Sequence, residues 1–128
     1  MGPELISADA GSPILEEMLM LEVRFLAIPD VKLIRTKRVS DGRGYFSETF
    51  RRSAFADHGI LGDFLQDNES CSDQVGTVRG LHFQRAPFAQ TKLIRVLSGA
   101  IFDVAVDLRP LSPTFGKTRR DRIGQRKW

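Results

Sequence analysis

Lys92-Leu93-Ile94-Arg95-Val96-Leu97-Ser98-Gly99-Ala100-Ile101-Phe102-Asp103-Val104-Ala105-Val106-Asp107-Leu108 is the stretch on which the fold turns. Two runs rich in branched aliphatic residues flank Ser98-Gly99, a pattern that predicts a β-hairpin closed by a two-residue turn. In that register Leu97 faces Ala100, and Phe102, Val104, Val106 and Leu108 share a face with Leu93, Arg95 and Leu97. This mostly apolar face is expected to pack into a core. The opposite face carries Lys92, Ile94, Val96, Ile101, Asp103, Ala105 and Asp107. On it Lys92 lies opposite Ala105, with Asp103 as its diagonal neighbour at ~7–8 Å. The pairing therefore predicts an ammonium beside a carboxylate among apolar neighbours, which reads either as a structural salt bridge or as chemistry.

Working outward, the same texture of short strands and turns runs from Val23 onward. Val31–Val39 is strand-like, Ser40-Asp41-Gly42 is a turn signal, and Tyr45, Phe46, Thr49 and Phe50 favour a further strand. Ser53–His58 reads as one or two helical turns stopped by Gly59. Val75–Gln84, Thr91–Leu97 and Ala100–Arg109 form a dense strand region. Short strands punctuated by turns predict a mainly β sandwich or barrel.

Composition narrows the function classes. Over 128 residues the chain is 41% hydrophobic and 27% charged, which excludes a disordered polyelectrolyte. The longest apolar run, Val96–Val106, is broken by Ser98, Gly99 and Asp103, far short of the ~20 residues of a membrane-spanning helix. Cys71 is the single cysteine, so no internal disulfide framework or multi-cysteine zinc site is expected, and a reducing cytoplasm is favoured. The net charge of +3 sits in the tail: residues 117–128 hold Lys117, Arg119, Arg120, Arg122, Arg126 and Lys127 against Asp121 alone. The body is mildly acidic. Such a tail attracts phosphates without sequence preference, and no specific nucleic-acid partner is expected. Residues 1–20 have no Lys or Arg and an apolar part split by Glu16-Glu17, unlike a signal peptide; they read as a weakly ordered extension.

Of the two histidines, His58 precedes Gly59 at the expected helix end, where a cationic side chain is commonplace. His82 lies in Val78-Arg79-Gly80-Leu81-His82-Phe83-Gln84. A lone histidine in an apolar strand is most often a satisfied core residue, but Arg79 three residues before it and Lys92 ten residues after it gather ionisable groups toward one strand pair. That grouping suggests an anionic ligand.

These segments resemble the dTDP-4-dehydrorhamnose 3,5-epimerase family in an ordered series. The series runs Asp41-Gly42-Arg43-Gly44-Tyr45-Phe46-Ser47-Glu48-Thr49-Phe50, Phe64-Leu65-Gln66-Asp67-Asn68, Val78–Gln84, Ala89–Val96, Gly99, Phe102–Arg109 and Ser112-Pro113-Thr114-Phe115-Gly116. The likeness extends from about Leu21 to Gly116. It implies a cupin-type jelly roll, normally a homodimer that lends N-terminal strands to its partner. It also implies a reaction on a dTDP-linked 4-keto-6-deoxyhexose, in which carbons 3 and 5, both alpha to the ketone, are inverted through enolates.

By this resemblance His82 is the base, Lys92 faces the ketone and steadies the enolate, and Asp103 orients Lys92. Arg43 and Glu48 would reach the substrate across the dimer interface. Gln66, Asp67 and Asn68 would contact the nucleotide sugar, Arg79 would sit beside the diphosphate, and Phe46 would stack on the base. Each also has an ordinary structural reading: a turn-closing Arg43, an ion-pairing Glu48, a loop-capping Asn68. Many cupins bind a metal through histidines and a glutamate. Here Gln84 and Lys92 stand at two of those places, and a lysine repels a dication, so no metal or other cofactor is expected.

The chain also departs from the family pattern. The family's general acid is a tyrosine from the second half of the barrel, whereas the only tyrosine here is Tyr45. After Gly116 the family continues with further strands, while Lys117–Trp128 shows neither a 2.0- nor a 3.6-residue apolar period. The expectation is therefore the N-terminal part of a jelly roll at 21–116, with a basic non-family tail at 117–128 and a C-terminally truncated chain of impaired activity. The alternative is a non-catalytic cupin remnant that binds a nucleotide sugar.

Overall fold

The computed structural model describes residues 21–124; the extension expected at 1–20 lies outside them. Six strands and one short helix follow in the order β1 (Leu21–Phe25), β2 (Lys32–Thr36), β3 (Val39–Asp41), β4 (Gly44–Phe46), α1 (Arg52–Asp57), β5 (Ala100–Val106) and β6 (Thr118–Gly124). The chain is mainly β. The strands pair antiparallel as three two-stranded sheets, β1–β2, β3–β4 and β5–β6, with no closed barrel among the described residues. No helix among them is long and apolar enough to cross a membrane. The contacts divide into two units, one of residues up to Leu26 with Lys32–Ile60, the other Ala27–Val31 with residues from Leu61 on.

In the first unit, β1 and β2 align Val23 with Ile34 and Phe25 with Lys32, and the Lys32 ammonium lies 5.8 Å from the Phe25 ring centroid. The Lys32 Nζ also donates to the Gly59 carbonyl at 2.9 Å. Helix α1 buries Ala54 and Phe55. Phe55, 1% exposed, meets Phe50 edge to face at 4.9 Å between centroids, a favoured aromatic geometry. Gly59 takes φ +70°, and its N–H donates to Ala56 O while Ile60 N donates to Phe55 O. These bonds satisfy the last helical carbonyls and stop the helix. A ring nitrogen of His58 lies 2.8 Å from Ala54 O, the helix-end role expected of it. Phe55→Leu, which shrinks the one fully buried large side chain among the described residues, is expected to cost roughly 1–2 kcal/mol, measured by urea denaturation.

In the second unit, the strands expected at Val75–Gln84 and Thr91–Leu97 are not formed, and the hairpin expected around Ser98-Gly99 is absent. β5 instead pairs with β6 across a loop at 107–117, with Phe102 opposite Arg122, Val104 opposite Arg120 and Asp103 opposite Asp121. A strand exists only where its backbone groups are paired, and the Asp107 cluster closes the 107–117 loop that brings residues 118–124 onto β5. Exposure does not alternate along β5, Ala100–Phe102 being exposed and Asp103–Val106 half-buried, and its Phe102 face is not a core: Phe102 is 68% exposed and shares that face with Arg120 and Arg122. Residues 118–124, which lack apolar periodicity, form a strand of alternating exposure through their pairing with β5, and along it Arg119 closes a fork on the Asp121 carboxylate at 2.7 and 2.8 Å.

The reversal between β5 and β6 is built on Asp107, which is 4% exposed. Its carboxylate accepts from Arg109 N (3.0 Å), Nε (2.8 Å) and Nη2 (2.7 Å). It also accepts from the Ser112 and Thr114 hydroxyls, each at 2.6 Å. The same residue's backbone N–H donates to Lys117 O, and its carbonyl accepts from Gly116 N, where φ of +74° turns the chain. Arg109 also pairs with Asp30 through Nη1. The Arg109 guanidinium first, then the two hydroxyls, hold the Asp107 carboxyl well below the usual carboxylate range, since a carboxylate with several donors resists protonation.

Candidate functional site

The predicted site residues fall into both units, and each unit is best described by itself. In the first, β3 and β4 form a tight hairpin in which Asp41 faces Gly44 and Val39 faces Phe46. The Asp41 carboxylate accepts from Arg43 N at 2.8 Å, Nε at 3.1 Å and Nη2 at 2.6 Å. This short polar side chain closes the turn that the Asp-Gly-Arg-Gly sequence invites. The Arg43 guanidinium lowers the Asp41 carboxyl below its ordinary range. Arg43 thus stands in its turn-closing geometry, its guanidinium still open to solvent. Phe46 is 63% exposed and lines a shallow hollow with Val39, Arg43 and Tyr45. Beside it the Arg38 guanidinium stacks 4.2 Å over the Tyr45 ring, a cation–π contact. Glu48 pairs with Arg51 at 3.1 Å, three residues on at the start of α1.

In the second unit, Gln66 Nε2 donates to Asn68 Oδ1 at 3.1 Å, so two of the three residues of that run are linked, and Asp67 is exposed beside them. Arg79 bends back on the preceding loop, donating from Nε to Ser72 Oγ at 3.3 Å and from Nη2 to Cys71 O at 3.2 Å. His82 is exposed and folds back toward Gly80. A side-chain carbon built on Gly80 would lie 3.5 Å from His82 Nδ1, and φ of +105° there already favours glycine. Lys92 is exposed, and Asp103 is half-buried on β5.

No hydrogen bond or ion pair joins His82, Lys92 and Asp103 among the described residues. The hairpin expected to set Lys92 diagonal to Asp103 is not formed among the described residues, and on the β5–β6 ribbon Asp103 faces Asp121. Nor is His82 or Lys92 among the residues that line the hollow at Val39–Phe46 or the one formed by Pro29, Asp30, Arg109 and Leu111–Thr114. No group of three His, Cys, Asp or Glu side chains among the described residues is placed to hold a metal ion.

Two arrangements escape a reading of the sequence. One is the Arg38–Tyr45 stack, whose only signal is a cation and an aromatic on either side of the Ser40-Asp41-Gly42 turn. The other is the Asp107 cluster, signalled by an acid two residues before an arginine and followed by two hydroxyl residues.

Comparison with known proteins identifies the lineage of these segments. A sequence profile of the dTDP-4-dehydrorhamnose 3,5-epimerase family matches residues 25–127, which takes in every residue named above as a candidate and most of the basic tail. The dTDP-4-dehydrorhamnose 3,5-epimerase of Sinorhizobium fredii is 54% identical over 107 residues, 84% of this chain and 53% of the relative. That of Escherichia coli K12 is 52% identical over 93 residues, 70% of this chain and 49% of the relative. Among solved structures, the Bacillus anthracis enzyme with TDP and PPi bound superposes with a TM-score of 0.79 at 44% identity, covering 82% of this chain and 60% of that one. The Legionella pneumophila enzyme in complex with dTDP-4-keto-L-rhamnose gives 0.76 at 40% identity, covering 82% and 55%. The chain spans about half the length of the curated relatives it matches, and its strands correspond to part of their cupin-like fold.

Proposed function

Because the chain belongs to the dTDP-4-dehydrorhamnose 3,5-epimerase family, we propose that it is an isomerase acting on dTDP-4-dehydro-6-deoxyglucose. It would invert carbons 3 and 5 to give dTDP-4-dehydro-L-rhamnose, a cytoplasmic step that supplies dTDP-rhamnose for polysaccharide. The observation that carries this reading is that His82 and Lys92, the base and the cation the chemistry requires, both lie in the family-matched stretch and are open to solvent.

The reaction needs little else at its first step. A C–H bond alpha to the ketone breaks, its proton moves to the His82 imidazole, and the electron pair passes into an enolate. An imidazole is the side chain suited to proton exchange at neutral pH. The Lys92 ammonium stabilises the enolate oxygen, the electrostatic contribution that dominates such steps. Asp103, which has no ion-pair partner of its own among the described residues, is available as the countercharge to Lys92. Arg79 would meet the diphosphate. Gln66, Asp67 and Asn68 would hold the nucleotide sugar, Phe46 would stack on the base, and Arg43 and Glu48 would contribute from a second copy in a homodimer. Inversion is completed when a proton from solvent reaches the carbon on the opposite face and His82 gives up its own proton to water, with no net oxidation or reduction.

Incubation of the chain with dTDP-4-dehydro-6-deoxyglucose in heavy water tests the proposal. Deuterium is expected at carbon 3 or 5, read by mass spectrometry and NMR, and excess dTDP should suppress it. Uptake with retained configuration would identify a chain that has the base but lacks an opposing acid. A thermal shift with dTDP and no deuterium uptake would leave a nucleotide-sugar-binding remnant and overturn the enzymatic reading.

A further inference from the structure

Asp41-Gly42 is the one Asp-Gly pair in the sequence. At such a pair the second residue has no side chain to hinder attack of its amide nitrogen on the aspartate carboxyl. The surroundings are open as well, since a carbon added at Gly42 would meet nothing within 4 Å. The pair opens the two-residue turn between β3 and β4, whose ends are held by the pairing of Asp41 with Gly44. Yet the carboxyl itself is engaged. Its Oδ1 accepts from Arg43 N at 2.8 Å, and its Oδ2 accepts from Arg43 Nε at 3.1 Å and Nη2 at 2.6 Å. Hydrogen bonds from a cation hold a carboxyl in its charged form, whereas only the neutral acid readily gives up an oxygen as water.

We propose that Asp41 is a latent site of isoaspartate formation, kept unreactive by the bonds that Arg43 makes to its carboxylate. When those bonds open, the Gly42 nitrogen gives up its proton and bonds to Asp41 Cγ, and one carboxyl oxygen leaves as water. The product is a five-membered succinimide. Water then adds back at either ring carbonyl. Addition at the side-chain carbonyl restores aspartate, and addition at the main-chain carbonyl leaves the backbone running through the former side chain. The water lost in the first step is regained in the second, so the change is an isomerisation that needs no co-reactant. The isomer carries one more main-chain carbon inside a two-residue turn. Turn length fixes hairpin register, so the pairing of Ser40 with Tyr45 and Val39 with Phe46 is displaced. This role of Arg43 belongs to the free chain and stands whether or not the chain is an epimerase.

Incubation of the full chain in warm neutral buffer, followed by isoaspartyl methyltransferase labelling and peptide mapping, tests the proposal. Arg43→Ala should raise isoaspartate at residue 41 by ~3-fold or more over the unmodified chain, as release of a carboxyl from a cationic partner returns it toward its ordinary acidity. The Arg43 side chain is 92% exposed, so the substitution removes no buried packing. Asp63 and Asp73, mapped in the same digests, report general loosening and should keep their unmodified rates. Acceleration confined to residue 41 supports the proposal. An unchanged rate at residue 41 in Arg43→Ala, or an equal rise at Asp63 and Asp73, overturns it.

Discussion

His82→Ala is expected to lower deuterium uptake at the carbons alpha to the ketone by ~10²–10⁴-fold, the usual worth of a positioned general base. Binding of dTDP should change little, because the nucleotide is assigned to Gln66, Asp67, Asn68, Arg79 and Phe46. Lys92→Ala should give a comparable loss by a different route. Removing the cation raises the energy of the enolate, while Lys92→Arg keeps the charge and should recover part of the rate. The discriminating measurement is single-turnover exchange with substrate in excess over its dissociation constant. There a loss of chemistry lowers the exchange rate and a loss of binding does not. If His82→Ala exchanges deuterium at the rate of the unmodified chain, the imidazole is not the base.

Asp107→Asn should produce the largest structural effect of any single substitution in the second unit. It replaces a charged acceptor shared by Arg109, Ser112 and Thr114 with a neutral amide that cannot satisfy them all. Hydrogen exchange at the amides of Asp107, Gly116 and Lys117, whose bonds close the β5–β6 reversal, is expected to accelerate on the order of 100-fold. The pH dependence follows from the direction of the shift. The folded-state pKa of Asp107 lies below the ordinary value of 3.8, so its stabilisation is complete above that value. It falls as the pH drops below 3.8 and is lost through the depressed folded-state value. Stability should therefore be flat in this respect from pH 5 to 7 and decline in acid, and Asp107→Asn should remove that decline. An acid profile identical in the two proteins would mean that Asp107 does not carry it.

The same cluster marks where the sequence stops being legible. Mainly β character, the helix that Gly59 stops, the Asp41–Gly44 turn and the His82…Lys92 series are all readable along the chain, because each depends on residues close to one another or on an ordered set of motifs. The helix is found at Arg52–Asp57 against the expected Ser53–His58. The turn is closed by Asp41 through Arg43, as the Asp-Gly dipeptide suggests.

Strand pairing was not readable in this way. Ala100–Val106 has the same alternation whether it meets Thr91–Leu97 across Ser98-Gly99 or Thr118–Gly124 across a longer loop. A strand has two edges, so alternation alone does not say which segments fill them. The choice rests on the closure of the 107–117 loop: the Asp107 carboxylate gathers Arg109, Ser112 and Thr114, and the Asp107 backbone is already bonded to Gly116 and Lys117. Across the β5–β6 ribbon Asp103 faces Asp121.

By itself the sequence determined the class of structure, the family and the residues proposed for the chemistry, since these follow from residue types and their order. Only the tertiary structure decided which strand β5 pairs with, and hence what faces Asp103. That decision is made by hydrogen bonds between groups brought together by the loop, whose strength depends on three-dimensional placement and not on position along the chain.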